Sequence, residues 1–159
     1  MTFGEKILER LADWRPAGVR AKSTLTDTGS GWTLTLTADR NDDVGCLLWE
    51  LDWLRDATTG RAVQSLQAWA ARLADAITSF VEPLKVIEVD PARDEAILRS
   101  SDAVHRGGSI RYYELSVRGT RELTLRRYRA HQDGKPREQI TFGLTHETVA
   151  SLADNIARA

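Results

Sequence analysis

The sequence predicts an α+β fold, in which a mainly antiparallel β-sheet, or a pair of related sheets, is packed by about three helices. Several segments alternate apolar and polar residues with a period of two, which is typical of half-buried strands. Glycine-containing turns separate these segments, as they do in hairpins. Three other segments carry apolar residues at helical spacing. At 159 residues the chain can bury one substantial core, so we expect residues 1–159 to form a single compact domain.

The three predicted helices cover residues 2–14, 65–81 and 146–157. Thr2 and Glu5 have the spacing of a capping box, in which each side chain accepts from a free backbone N–H at the start of a helix. Ser65 and Thr145 are suited to cap the other two helices. Pro83 should prevent the second helix from continuing.

The strands are predicted at 19–27, 32–40, 46–56, 84–90, 94–100, 109–118, 121–130 and 137–143. Segment 46–56, "CLLWELDWLRD", alternates most clearly. It should place four large side chains on one face, namely Leu47, Trp49, Leu51 and Trp53. Glu50 and Asp52 would then form a solvated acidic surface on its other face. The tryptophans are interpreted as core residues, with Trp14 and Trp32 the least securely buried by pattern.

Two parts of the chain, 19–81 and 84–157, follow a similar plan. Each has strands, a glycine-containing turn, a return strand, a Ser or Thr cap and a helix, and the helices contain "LADAI" and "LADNI". One interpretation is a duplication; the other is one continuous sheet whose halves converged on similar patterns. In topology, this arrangement resembles Pur/Whirly-type nucleic-acid-binding modules, and it is also similar to secretion-chaperone-like α/β dimers.

Recognised catalytic motifs are missing from the sequence. It has no G-x-S-x-G elbow, no P-loop and no H-E-x-x-H. In "HRGGS", Gly107 and Gly108 favour a hairpin turn over an anion site. Cys46 lacks a neighbouring cation that would stabilise a thiolate, so we interpret it as a packing residue. We therefore expect a non-enzymatic domain without cofactor or metal.

Three features favour a cytoplasmic protein that does not enter a membrane. No run of about 18 apolar residues is present. The first ten residues carry charges and lack the apolar stretch of a secretory signal. Cys46 is the single cysteine, so no intrachain disulfide can form.

The formal net charge of −1 conceals a strong asymmetry along the chain. Residues 1–105 carry a net charge of −5, whereas residues 106–138 carry +5. The basic part contains the predicted hairpin 109–130, with the candidate partner-binding residues Arg111, Tyr113, Arg126, Arg127, Tyr128 and Arg129. Alternation should place Arg126 and Tyr128 on one face of their strand and Arg127 and Arg129 on the other.

Three interpretations of this hairpin remain open. The arginines can cover apolar surface with their stems and be balanced by nearby acids. They can bind an acidic protein surface, including that of a second copy. They can also follow the phosphates of single-stranded nucleic acid while the tyrosines stack on bases. Our hypothesis is a chaperone-like domain that engages a protein partner or forms a homodimer. The alternative is a single-stranded nucleic-acid-binding module.

Overall fold

The computed structural model describes residues 1–56 and 65–159 and confirms the α+β class. Within these residues there are three helices, α1 Phe3–Asp13, α2 Leu66–Thr78 and α3 His146–Arg158. The ten strands are β1 Ala21–Asp27, β2 Trp32–Asn41, β3 Gly45–Arg55, β4 Leu84–Asp90, β5 Glu95–Ser100, β6 Val104–Arg106, β7 Ser109–Arg118, β8 Glu122–His131, β9 Glu138–Ile140 and β10 Phe142–Thr145. The short return strand predicted just before Ser65 lies outside the described residues.

All ten strands belong to one sheet, in which every recorded pairing is antiparallel. The main order is β1-β2-β3-β8-β7-β5-β4, and β6, β9 and β10 add short pairings to β7, β8 and β3. Strands β1–β3, from the first part of the chain, are therefore joined to β8, β7, β5 and β4 through the pairing of β3 with β8. This order is compatible with either origin of the two chain halves, and duplication stays a prediction.

The helices begin where the sequence predicts. The Thr2 side chain accepts from the Glu5 backbone N–H, and the Glu5 carboxylate accepts from the Thr2 backbone N–H. Ser65 and Thr145 likewise cap α2 and α3 through their side-chain oxygens. Helix α2 ends at Thr78, three residues before the predicted end.

The helices cover one face of the sheet, where a single apolar core forms. Helix α2 packs on β4 and β5, and α1 packs against α3. Trp32, Trp53 and Trp69 are fully buried in this core. The ring of Trp32 stacks on that of Trp69 with 6.2 Å between centroids. Trp32 is therefore better buried than its sequence pattern indicates.

The predicted alternation of the strand at 46–56 is right in its second half and wrong in its first. Leu51 and Trp53 are buried, but Leu47 and Trp49 are only half-buried while Leu48 is fully buried. The cause is a shift in the pairing of β2 with β3, near Ala38, which changes the face on which the side chains lie. Cys46 consequently faces the core, on the side opposite to Glu50 and Asp52.

The other face of the sheet, here called the polar face, carries polar side chains from six neighbouring strands. Thr24 and Thr35 share a hydrogen bond of 2.9 Å between their hydroxyls across β1 and β2. The hydroxyl of Thr124 on β8 donates to Asp52 on β3 at 2.7 Å. Glu50 and Asp52 of β3 are both half-buried, so the face is less solvated than expected. Burial raises the pKa of Asp52.

Candidate functional site

The β7–β8 hairpin divides the six candidate binding residues between its two faces, as the alternation predicts. Arg126 and Tyr128 lie on the polar face, directly opposite Glu114 and Tyr112 of β7. The other four candidates, Arg111, Tyr113, Arg127 and Arg129, have the opposite parity and lie on the helix-covered side. No single flat surface presents all six.

On the polar face, the carboxylate of Glu114 lies between two guanidinium groups. Arg99 Nε and Arg137 Nη1 each donate to Glu114 Oε2 at 2.7 Å. Glu114 is only 5% exposed. Burial alone would raise the pKa of Glu114, but the hydrogen bonds from Arg137 and Arg99 overcome it and lower that pKa below its usual value.

Two tyrosines lie beside this charge cluster. The rings of Tyr112 and Tyr128 are 6.0 Å apart, and the Arg137 guanidinium lies 3.8 Å from the Tyr128 ring centre. Arg126 Nε donates to Glu50 Oε2 at 2.8 Å. Tyr128 is 9% exposed, so most of its ring is covered by its neighbours and is not available to stack on a base.

On the helix-covered side, two of the three basic candidates, Arg127 and Arg129, also have acidic partners. Arg127 Nη1 donates to Glu82 Oε1 at 2.9 Å and its guanidinium lies 4.4 Å from the ring centre of Tyr113. Tyr113 is 7% exposed, and burial raises its pKa. Arg129 pairs with Glu138, and Arg111 lies opposite Arg129 on the neighbouring strand.

Most of the candidate arginines of the hairpin are therefore paired with acidic residues within the fold. Arg126, Arg127 and Arg129 each have a carboxylate from another strand or loop, and the two candidate tyrosines are buried. The aliphatic parts of arginine side chains cover apolar surface, and their guanidinium groups pair with carboxylates. Such contacts stabilise a sheet without any external partner. The sequence could not show the pairs with Glu50 and Glu82, which lie 76 and 45 residues away from their arginines.

The two outer edges of the sheet differ in how they are covered. At β1, the neighbouring helix α1 lies against the edge, where Arg10 Nη1 donates to the Thr24 carbonyl at 3.0 Å and to Ser23 Oγ at 3.2 Å. Lys6 of the same helix pairs with Asp27 at the end of β1. Side chains of α1 thus satisfy part of the β1 edge.

At the opposite edge, β4 pairs with β5 and with no other strand in the part of the chain that the structure describes. Four consecutive residues of β4 are exposed, Lys85, Val86, Ile87 and Glu88. Val86 is 37% exposed and Ile87 45%, although both are large and apolar. An edge with free backbone groups and exposed β-branched residues is a template for pairing with another strand. We call residues Leu84–Asp90 the free edge.

The pairing of the free edge with β5 contains a β-bulge. Val86 lies opposite Leu98 and Glu88 opposite Ile97, so Ile87 is an extra residue without a partner of its own. This edge is not among the sites predicted from the sequence. Its signal was the adjacent apolar pair in "LKVIEVD", which interrupts the alternation expected of a half-buried strand.

A buried polar cluster connects β2, β3 and α3 on the other side of the fold. Asn41 Oδ1 accepts from Cys46 Sγ at 3.2 Å and lies 2.6 Å from His146 Nε2, while Asn41 Nδ2 donates to the carbonyls of Leu11 and Trp14. Burial raises the pKa of Cys46 to about 12, so its thiol stays protonated. The cluster fastens the end of α1 to the sheet.

Within residues 1–56 and 65–159, no group of three or more His, Cys, Asp or Glu side chains is placed to hold a metal ion. No helix in the described part of the chain combines the length and the apolar character that a membrane span needs.

Comparisons with known proteins give no relative: no family model, no curated protein and no solved structure matches this chain.

Proposed function

We propose that this chain is a cytosolic, non-enzymatic protein-binding domain, and that the free edge is its docking element. The observation that carries the proposal is the contrast between the two outer strands. Arg10 and Lys6 of α1 bond to part of β1, whereas β4 exposes Val86 and Ile87. An extended segment added to such an edge gains main-chain hydrogen bonds, and its side chains fit the alternating faces of the sheet.

The charge on the free edge supports a protein partner. Lys85 and Glu88 flank the apolar pair Val86 and Ile87, so the exposed stretch carries both signs of charge around an apolar centre. A partner strand with apolar residues between opposite charges complements it. A polyanion does not, because Glu88 would repel its phosphates.

An NMR titration tests this docking mode. The probe is an extended synthetic peptide of ten residues. Its central residues are β-branched, with a lysine on one side of them and a glutamate on the other. We expect shift changes in backbone amides of Leu84–Asp90, and loss of binding in Val86→Pro, which removes a backbone donor. Unchanged β4 signals at millimolar peptide, or shifts confined to β1, would contradict the proposal.

Single-stranded nucleic acid is the second proposal, and one observation favours it. Tyr112 is half-buried on the polar face beside Arg137, so one ring and one guanidinium remain near the surface. Fluorescence anisotropy with mixed DNA and RNA oligonucleotides at low salt separates the two proposals. The protein-binding proposal predicts no binding at tens of micromolar protein. Salt-sensitive binding that Arg137→Ala abolishes would favour nucleic acid instead.

A further inference from the structure

Building on the proposed function, we infer that the strand that docks on the free edge is β4 of a second copy of this chain. The two strands pair antiparallel in a register that places Lys85 opposite the partner's Glu88, and Glu88 opposite the partner's Lys85. The sheets of both copies then become one continuous sheet.

The pairing of β4 with β5 determines the face on which each β4 side chain lies. Lys85 is opposite Arg99, Glu88 is opposite Ile97, and Val86 is opposite the fully buried Leu98. Residues directly opposite in an antiparallel pair share a face. Arg99 and Ile97 alternate with Leu98, so they lie on the polar face. Lys85 and Glu88 therefore also lie on the polar face.

The bulge makes this arrangement compatible with two-fold symmetry. Two antiparallel copies of one edge strand are related by an axis perpendicular to the sheet, which keeps every side chain on its own face. Residues three apart in a regular strand lie on opposite faces and cannot form such a symmetric pair. The extra residue Ile87 shifts the alternation by one, so Lys85 and Glu88 can meet twice across the axis.

The backbone of the free edge supports the same register. Ser101 N–H donates to the Pro83 carbonyl at 2.7 Å. In the alternating antiparallel pattern, the backbone groups of Lys85 then point toward β5, and those of Leu84 point outward. Beyond the bulge, Glu88 pairs with Ile97, so the backbone groups of Glu88 point toward β5 and those of Val89 point outward. The Leu84 N–H already donates to the Thr78 hydroxyl at 3.4 Å. The Leu84 carbonyl is therefore the group that can accept from the partner's Val89 N–H, on both sides of the axis.

The apolar residues lie at the centre of this interface. Val86 and Ile87 would lie at the axis against the same two residues of the partner, which covers side chains that are 37% and 45% exposed in one copy. A single pair of seven-residue strands is a small interface, below about 1,200 Å² of buried surface. We therefore expect a reversible dimer with a dissociation constant on the order of micromolar.

Sedimentation velocity of charge-reversal variants tests the register. Lys85→Glu places glutamates opposite each other twice, and Glu88→Lys does the same with lysines, so each variant alone should dimerise about tenfold more weakly than the wild type. An equimolar mixture of the two variants should recover a heterodimer of wild-type affinity. The double variant K85E/E88K should recover a homodimer. Lys22→Glu, a reversal at another exposed lysine, on β1, is the matched control and should leave the wild-type dissociation constant unchanged.

The outcomes are distinct from those of the peptide titration. A wild-type chain that stays monomeric to hundreds of micromolar overturns the inference, and so does a dimer that neither reversal weakens. Variants that weaken alone but do not recover on mixing overturn the register. If the chain is monomeric and the peptide still shifts β4, docking on the free edge survives with a different partner. If neither occurs, both proposals fail. All reversals are at exposed side chains, and circular dichroism checks that each variant is folded.

Discussion

Lys85 and Glu88 lie on the same face of β4, although a regular strand would place them on opposite faces. The bulge at Ile87 is the cause, because β5 supplies adjacent residues, Leu98 and Ile97, as the partners of Val86 and Glu88. Bulges and charged residues usually protect edge strands from pairing. Here the same bulge brings two opposite charges into a self-complementary pattern around an apolar pair.

The β1 edge should promote self-association of the protein when the contact that α1 makes with it is removed. Arg10→Ala removes the donor that satisfies the Thr24 carbonyl and the Ser23 hydroxyl at β1. We expect light scattering to show new self-association that Lys85→Glu does not suppress, since it involves the other edge. Arg15→Ala, which removes contacts with Asp43 and the Trp14 carbonyl, is the control and should not associate more than the wild type. Unchanged scattering for Arg10→Ala would show that α1 is not needed to protect β1.

The buried carboxylate of Glu114 should make stability depend on pH. Glu114→Gln removes the charge that Arg99 and Arg137 share, and we expect it to lower the free energy of unfolding at pH 7 by about 2 kcal/mol. Since the folded-state pKa of Glu114 is lowered, its contribution is fully present above the ordinary value of 4.5 and is lost as pH falls through the lowered pKa.

Urea denaturation from pH 7 down to pH 3 measures this difference. The gap between the wild type and Glu114→Gln should narrow below pH 4.5. Glu9→Gln, a change at an exposed side chain of α1, is the control and should change the free energy of unfolding at pH 7 only slightly. A gap that stays constant across this range would mean that the Glu114 charge does not stabilise the fold.

A close contact between α1 and α3 requires the glycine at position 4. A Cβ atom on Gly4 would lie 2.7 Å from the Ala150 carbonyl oxygen and would also strike the Asp154 carboxylate, which accepts from the Gly4 backbone N–H. Gly4→Ala should therefore cost about 1–3 kcal/mol of stability, despite the better helix propensity of alanine. Gly18→Ala, which has no atom within 4 Å of the added Cβ, is the control. Equal melting temperatures of Gly4→Ala and Gly18→Ala would show that the close contact at Gly4 does not limit stability.

The single thiol should be inert in the native protein. Cys46 is 4% exposed and its pKa is raised to about 12, mainly by burial. At pH 8 the thiolate fraction is then on the order of 10³-fold smaller than in the unfolded chain, and alkylation by iodoacetamide should slow accordingly. Mass spectrometry with and without 8 M urea measures both rates. Rapid labelling of the native protein would show that the Asn41 cluster opens readily.

The sequence predicts the features that depend on local spacing. The Thr2–Glu5 capping box, the Gly107–Gly108 turn and the division of Arg126 and Arg127 between two faces all follow from the order of neighbouring residues. The face on which Leu47 and Trp49 lie does not, because a change of register between β2 and β3 decides it. A one-residue shift exchanges the two faces of a strand.

The candidate site, too, could be predicted from the sequence only in part. The sequence draws attention to the basic hairpin, but strand order decides whether its arginines are free. Glu82 reaches Arg127 from the segment after α2, and Glu50 reaches Arg126 from β3, neither of which is close in the chain. The free edge was missed for the same reason, since "LKVIEVD" becomes an edge only when no strand follows it in the sheet.

Hydrogen–deuterium exchange of β4 at low and high protein concentration shows whether two copies of the chain pair through this strand. We predict that the outward-pointing amides of Val86 and Val89 exchange more slowly as concentration rises, while the amides of β1 and of the β7–β8 hairpin do not change. Protection that appears at β1 or at the hairpin, or no change in β4 while the chain associates, would contradict this prediction.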